Sequence, residues 1–233
     1  MNIIVTGASK GIGFDTVLTL SQHNNNRIIA LARNYTDLVK LQELCLQQHN
    51  NRIFIATHDL SQKDFSQLQA VLQNFLSIDV LINNAGLLIN KPFLNLNQQD
   101  WTNIFSVNLF GVVTLIKYLF PYLKKANRAH IVNIGSMGGF QHSQKFAGLS
   151  AYSASKAALA NITECLALEW QNYNIACNCL CLGAVNTDML QTAFPNYKAP
   201  LNSKDMATFI SHFALNAQQY LNGKIIPVSL STP

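Results

Sequence analysis

The chain has 233 residues, 49% of them hydrophobic and only 12% charged, with a formal net charge of +5. A chain so apolar and so poor in charge can bury enough surface to fold, which excludes disorder; its length suits one domain, expected over residues 1–233. Its 16 Lys and Arg against 11 Asp and Glu form no run beyond Lys124-Lys125, which argues against a nucleic-acid binder.

With so few charges, 26 Asn and 16 Gln must carry most of the hydrogen bonding outside the backbone. The five cysteines include Cys177, Cys179 and Cys181 at alternate positions, which face one side of a strand and read as small core residues. No His or acidic partner stands at metal-ligand spacing, and His23, His49, His58, His130, His142 and His212 read as surface or turn residues. No disulfide framework and no basic leader are evident, so a cytoplasmic protein is expected.

Short β-branched runs alternate with helical patterns along the whole chain. Strands are expected at 3–5, 27–31, 52–56, 79–82, 130–134, 175–182 and 224–228. Helices are expected from the glycines to about 21, then at 36–48, 61–76 (with Ser61 as N-cap), 98–125, 152–171 and 203–213. The stretch 104–123 is long and apolar enough for a bilayer, but Ser106, Asn108, Thr114, Lys117 and Pro121 would be costly there; it reads as a buried or interface helix. Continuous apolar strands joined by helices predict an α/β fold: a doubly wound parallel sheet of about seven strands with helices on both faces.

The segment Thr6-Gly7-Ala8-Ser9-Lys10-Gly11-Ile12-Gly13 follows the first strand and opens the first helix. Glycines there let the backbone turn sharply and approach a pyrophosphate at the positive end of a helix. No Gly-Lys-Ser/Thr follows, so this is not a triphosphatase phosphate loop. The spacing Thr-Gly-x-x-x-Gly-x-Gly resembles the first turn of the short-chain dehydrogenase/reductase family. Asp59-Leu60 and Asn83-Asn84-Ala85-Gly86 resemble that family's segments after strands three and four, in the same order. The resemblance implies a Rossmann fold, with Gly7, Ser9, Lys10, Gly11, Ile12, Gly13, Asp59, Leu60, Asn84, Ala85 and Gly86 binding a nicotinamide dinucleotide.

Charge selects the dinucleotide. An NAD site usually places a carboxylate near the end of the second strand, on the ribose 2′-hydroxyl. Here that strand ends Ala30-Leu31-Ala32-Arg33-Asn34. Arg33, helped by Lys10, can hold a 2′-phosphate, so NADP(H) is expected over NAD(H).

Tyr152 and Lys156 stand four apart at the start of a helix, which places phenol and ammonium beside the same ligand. A nearby positive charge favours tyrosinate. The resemblance implies a catalytic set of Asn108, Ser136, Tyr152 and Lys156. Tyr152 would donate the proton, Lys156 tune it and hold the nicotinamide ribose, Ser136 orient the substrate oxygen, and Asn108 support a water relay. Ser143 is a local rival to Ser136. The segment Leu182-Gly183-Ala184-Val185-Asn186-Thr187 resembles the family's Pro-Gly-x-x-x-Thr, with Val185 and Thr187 at the carboxamide.

Three features depart from the family: Leu182 replaces a proline, sixteen positions separate Ser136 from Tyr152, and the terminal Gly-Gly is missing. Met189, Leu190, Phe194 and Tyr197 in a lid-like stretch suggest a small, modestly hydrophobic carbonyl or alcohol substrate. A 3-oxoacyl-acyl-carrier-protein reductase is the alternative enzyme, and a non-catalytic NADPH-binding sensor or scaffold the alternative class. No nucleic acid or membrane partner is expected. The family's habit of pairing its long helices implies a homodimer or homotetramer.

Overall fold

The computed structural model describes residues 1–231; Thr232 and Pro233, the end of the expected domain, lie outside the described residues. Among the described residues nine strands run in chain order: β1 (Asn2–Thr6), β2 (Arg27–Ala32), β3 (Phe54–Thr57), β4 (Val80–Asn83), β5 (Ala129–Ser136), β6 (Ile175–Leu182), β7 (Val185–Asn186), β8 (Leu201–Asn202) and β9 (Ile225–Val228). Eight α-helices join them: α1 (Gly11–Leu20), α2 (Tyr35–His49), α3 (Ser66–Leu72), α4 (Gln98–Phe105), α5 (Gly111–Leu123), α6 (Ser150–Glu169), α7 (Asp188–Ala193) and α8 (Ser203–Asn216). Seven strands make one sheet in the order β3-β2-β1-β4-β5-β6-β9, with every pairing parallel, and β7 pairs with β8 apart from it. The fold is therefore the doubly wound, Rossmann-type sheet.

Alternate strand residues feed two cores, which is why the strands read as unbroken apolar runs. Ile3, Val5, Ile28 and Ala30 pack under α1, α2 and α8 with Val17, Leu41 and Ile210. Ile4, Ile29, Leu31 and Leu81 pack on the other face under α3, α5 and α6 with Leu72, Leu115 and Leu159. Each fully buried Val, Leu or Ile among them stabilises the fold by about 1.5–3 kcal/mol. The apolar stretch of α5 belongs to this second core, since Val112, Leu115, Ile116, Leu119 and Leu123 are all buried there.

The amides have definite work. Asn34, Asn97 and Asn202 N-cap α2, α4 and α8 by accepting from Asp37, Asp100 and Asp205 backbone N–H groups. Asn50 and Asn174 adopt left-handed conformations where α2 and the turn after α6 end.

Three expectations need correction. The third helix starts at Ser66, not Ser61, because Asp59 and Asp64 take the backbone N–H groups of Ser61 and Ser66 at 2.9 and 2.8 Å and hold that stretch in local turns. The long helix at 98–125 is α4 and α5 joined by a π-helical turn, Ser106–Phe110. His58 and His130 are buried rather than on the surface.

Candidate active site

Sheet order reverses at β1, whose neighbours β2 and β4 are reached by crossovers on opposite faces. A crevice must open beyond the strand ends at such a point. A cleft of about 520 Å³ lies there, floored by the segments that leave β1, β4, β5 and β6.

The glycine turn forms its near wall. Gly11 has φ +59°, in the region that favours glycine. A Cβ at Gly13 would lie 2.3 Å from the Gly7 carbonyl oxygen and 2.4 Å from Asn84 Nδ2. Asn84 itself donates to the Thr6 and Gly7 carbonyls at 3.1 and 3.3 Å, while Thr6 Oγ1 accepts from the backbone N–H of Asn84 and Ala85, both at 3.0 Å. Thr6 thus stitches the two turns together, a role the motif spacing did not reveal. The first turn of α1 has no acidic residue and its N-cap, Lys10, makes no side-chain cap. Its free N–H groups suit a pyrophosphate.

At the far end, Ser9, Lys10, Ile12, Arg33, Asp59 and Leu60 line the cleft. Arg33 Nη1 is 3.9 Å from Asp59, and Lys10 Nζ 3.8 Å from Asp188, with both cations well exposed. Such pairs are weak, so both cations can turn to an incoming anion. Burial works against the Asp59 charge, but hydrogen bonds from Ser61 and the Arg33 charge outweigh it and hold its carboxyl below the usual range.

The opposite end gathers Ser136, Tyr152 and Lys156. Ser136 is the last residue of β5; its Oγ accepts from Gly138 N–H at 3.2 Å and lies close enough to the Tyr152 phenol to favour its ionised form. Lys156 is 3% exposed, donates to the Ile134 carbonyl at 2.8 Å and lies 5.9 Å from the Tyr152 ring centroid. Burial pushes its pKa down to about 8, against the pull of Cys179 and Cys181. Burial also pushes Tyr152 up to about 12, with the nearby Ser136 hydroxyl opposing. The expectation that a neighbouring cation would favour tyrosinate is thus not met in the protein by itself: desolvation sets the direction of the shift.

Asn108 lies in the π turn, fully buried. Its Oδ1 accepts from Leu87 N–H at 2.7 Å, and its Nδ2 donates to the Leu87 carbonyl at 2.9 Å and to Ser155 Oγ at 3.0 Å. Ser155, adjacent to Lys156 in sequence, was missed by the motif reading. A Cβ at Gly86 would lie 3.5 Å from both Asn108 Oδ1 and Lys156 Nζ, so glycine there keeps the cleft floor open beside the lysine. Ser143 is no rival to Ser136, since its hydroxyl is engaged by the Met137 and Phe140 carbonyls. Val185 and Thr187 line the far side, and Thr187 Oγ1 caps α7 through Leu190 N–H at 3.3 Å. A groove with free N–H groups, exposed cations at one end and a half-buried phenol at the other fits a dinucleotide.

A dinucleotide-dependent oxidoreductase is the class that this sheet and cleft define. The short chain dehydrogenase family profile matches residues 1–198, and the chain belongs to that family. It is similar to the 3-oxoacyl-[acyl-carrier-protein] reductase of Chlamydia muridarum, 27% identical over 97% of this chain and 94% of that protein. An uncharacterized oxidoreductase of Staphylococcus saprophyticus is 33% identical over 92% of this chain and 83% of its own. A short chain dehydrogenase of Escherichia coli CFT073, solved in complex with NADPH, superposes with a TM-score of 0.88 at 27% identity, covering 97% of this chain and 95% of that one.

Proposed function

We propose that this protein is an NADP(H)-dependent oxidoreductase acting on the carbonyl or alcohol of a small, modestly hydrophobic substrate. The observation that carries the reading is the convergence of Ser136, Tyr152 and Lys156 at one end of a cleft whose other end carries Lys10 and Arg33. When bound, the nicotinamide supplies or accepts the hydride, chemistry that no side chain here offers. Ser136 Oγ holds the substrate oxygen in line with Tyr152. Tyr152, a phenol kept protonated by burial, gives its proton to that oxygen as negative charge develops on it. Lys156 holds ribose hydroxyls, and its charge eases departure of the phenolic proton. Asn108 fixes the Leu87 backbone beside Lys156 and supports the water path that reprotonates it. The α1 N-terminus takes the pyrophosphate, and Arg33 with Lys10 takes the 2′-phosphate, which favours NADP(H) over NAD(H). The NADPH in the E. coli relative supports this choice.

The long apolar helices also leave Phe110 and Leu168 exposed, in keeping with assembly as a homodimer or homotetramer. All five cysteines are free thiols, in keeping with a reducing cytoplasm.

NADPH consumption over a panel of ketones and aldehydes, run beside NADH, tests the reading. We expect turnover of at least one neutral ketone and loss of about 10²-fold or more in kcat for Tyr152→Phe with NADPH binding kept. Arg33→Ala should weaken NADPH by about tenfold or more and leave NADH unchanged. NADPH binding without turnover of any carbonyl would instead favour the sensor. Preference for an acyl-carrier thioester would favour the 3-oxoacyl-acyl-carrier-protein reductase that the Chlamydia relative's name suggests.

A further inference from the structure

The substrate end of the cleft is walled by three segments far apart in sequence. The stretch after β4 brings Leu87 and Leu88, the β5–α6 connection brings Phe146, and the α7 region brings Met189 and Phe194. Phe146 and Phe194, both half-buried, meet edge to face with ring centroids 6.1 Å apart at 70°. Their seats are fixed from the first segment. Asn90 Nδ2 donates to the Ala193 carbonyl at 2.7 Å, next to Phe194, and Lys91 N–H donates to the Gly148 carbonyl at 3.0 Å, two residues beyond Phe146. Lys91 is itself anchored by Asp100 through both carboxylate oxygens, at 3.0 and 2.8 Å. The segments abut closely, since a Cβ at Gly148 would lie 1.9 Å from Asn90 Oδ1.

Charge is distributed unevenly along the cleft. Among the described residues that line it, Lys10 and Arg33 stand at the adenosine end, and Lys156 is held by the Ile134 carbonyl. The Asp188 carboxylate, at the start of α7, pairs with Lys10 at 3.8 Å, and the cleft residues brought beside the aromatic pair, Leu87, Leu88 and Met189, carry no charge. Lys145 turns to the Phe140 carbonyl at 2.6 Å and to Ser143 Oγ at 3.0 Å. An anionic substrate would therefore lose water against two aromatic rings without gaining a partner, which is costly.

We propose that Phe146 and Phe194 form a specificity gate that admits flat, uncharged carbonyl compounds, such as aryl or cyclic ketones, and turns away keto acids. Asn90 is the positioning residue that holds the two rings opposite each other. The inference rests on the reading of this site as a carbonyl reductase and names its substrate class.

Calorimetric titration of the NADP⁺-loaded protein with ethyl benzoylformate and with benzoylformate tests the gate. The two probes share a ketone and differ in charge, and the oxidised cofactor leaves both unreduced. The ester should bind about tenfold or more tighter than the acid. Phe146→Ala, Phe194→Ala and Asn90→Ala should each weaken the ester by about fivefold and leave the acid within about twofold. With NADPH, the same variants should lower kcat/KM for the ester while that for diacetyl, too small to reach the rings, stays near wild type. Equal or tighter binding of the acid would overturn the gate, and so would an equal loss on diacetyl and ester. Tight binding of the ester with no reduction of any carbonyl would support the gate and sink the reductase reading.

Discussion

His130 lies in the middle of the sheet with both ring nitrogens engaged. Nδ1 donates to the Ala214 carbonyl at 3.0 Å, and Nε2 accepts from Asn178 Nδ2 at 3.0 Å. A carbonyl can only accept, so these partners require the neutral ring with its proton on Nδ1. Burial pushes its pKa down to about 4 from 6.5. Below pH 6.5 the unfolded chain takes up a proton that the folded one refuses, so stability falls as the pH drops towards 4 and levels off beneath it. The loss over that window is about 3 kcal/mol. Urea unfolding at a series of pH values should show this slope, and His130→Gln should flatten it; an unchanged acid limb would sink the assignment. Nothing local in the sequence marked this residue as buried, since its partners stand 84 and 48 positions away.

At the scale of elements, the π turn between α4 and α5 decides where Asn108 points. The wider turn puts one extra residue into the helix and lets that side chain reach the Leu87 backbone. Asn108→Ala would leave the half-buried Leu87 N–H and carbonyl and the Ser155 hydroxyl short of partners. Unfolding free energy should drop by about 2 kcal/mol, read from denaturant melts; a neutral change would mean that water replaces the amide without cost. Helix type over 98–125 was legible from apolar spacing, but one inserted residue scarcely disturbs that spacing, so the turn was not. Strand positions were legible because both faces are buried. The start of α3 was not, because Asp59 and Asp64 offer the backbone local partners that compete with a helix.

Across the whole molecule, the described residues hold four ion pairs, and Lys91–Asp100 is the one whose acidic partner is well shielded, at 12% side-chain exposure. Two apolar cores and uncharged amide caps carry the rest. Raising salt from low to about 1 M should therefore move Tm by no more than about 2 °C, because exposed pairs contribute little. The same change should raise KM for NADPH through Lys10 and Arg33, which work in solvent. A large fall in Tm in a thermal melt would mean that surface charge matters to the fold after all. The half of the cleft proposed for the cofactor was legible as motifs because its residues lie in short contiguous stretches: Thr6 to Gly13, Asn83 to Gly86, Tyr152 to Lys156. The substrate half was legible only as composition, because the Asn90 contact to Ala193 spans 103 positions.

The three segments that meet at Asn90 hang from strand ends and take no part in the pairing of the main sheet. A lineage built on this plan can change its diet by altering those loops alone, and the sheet with its glycine turn passes on unchanged.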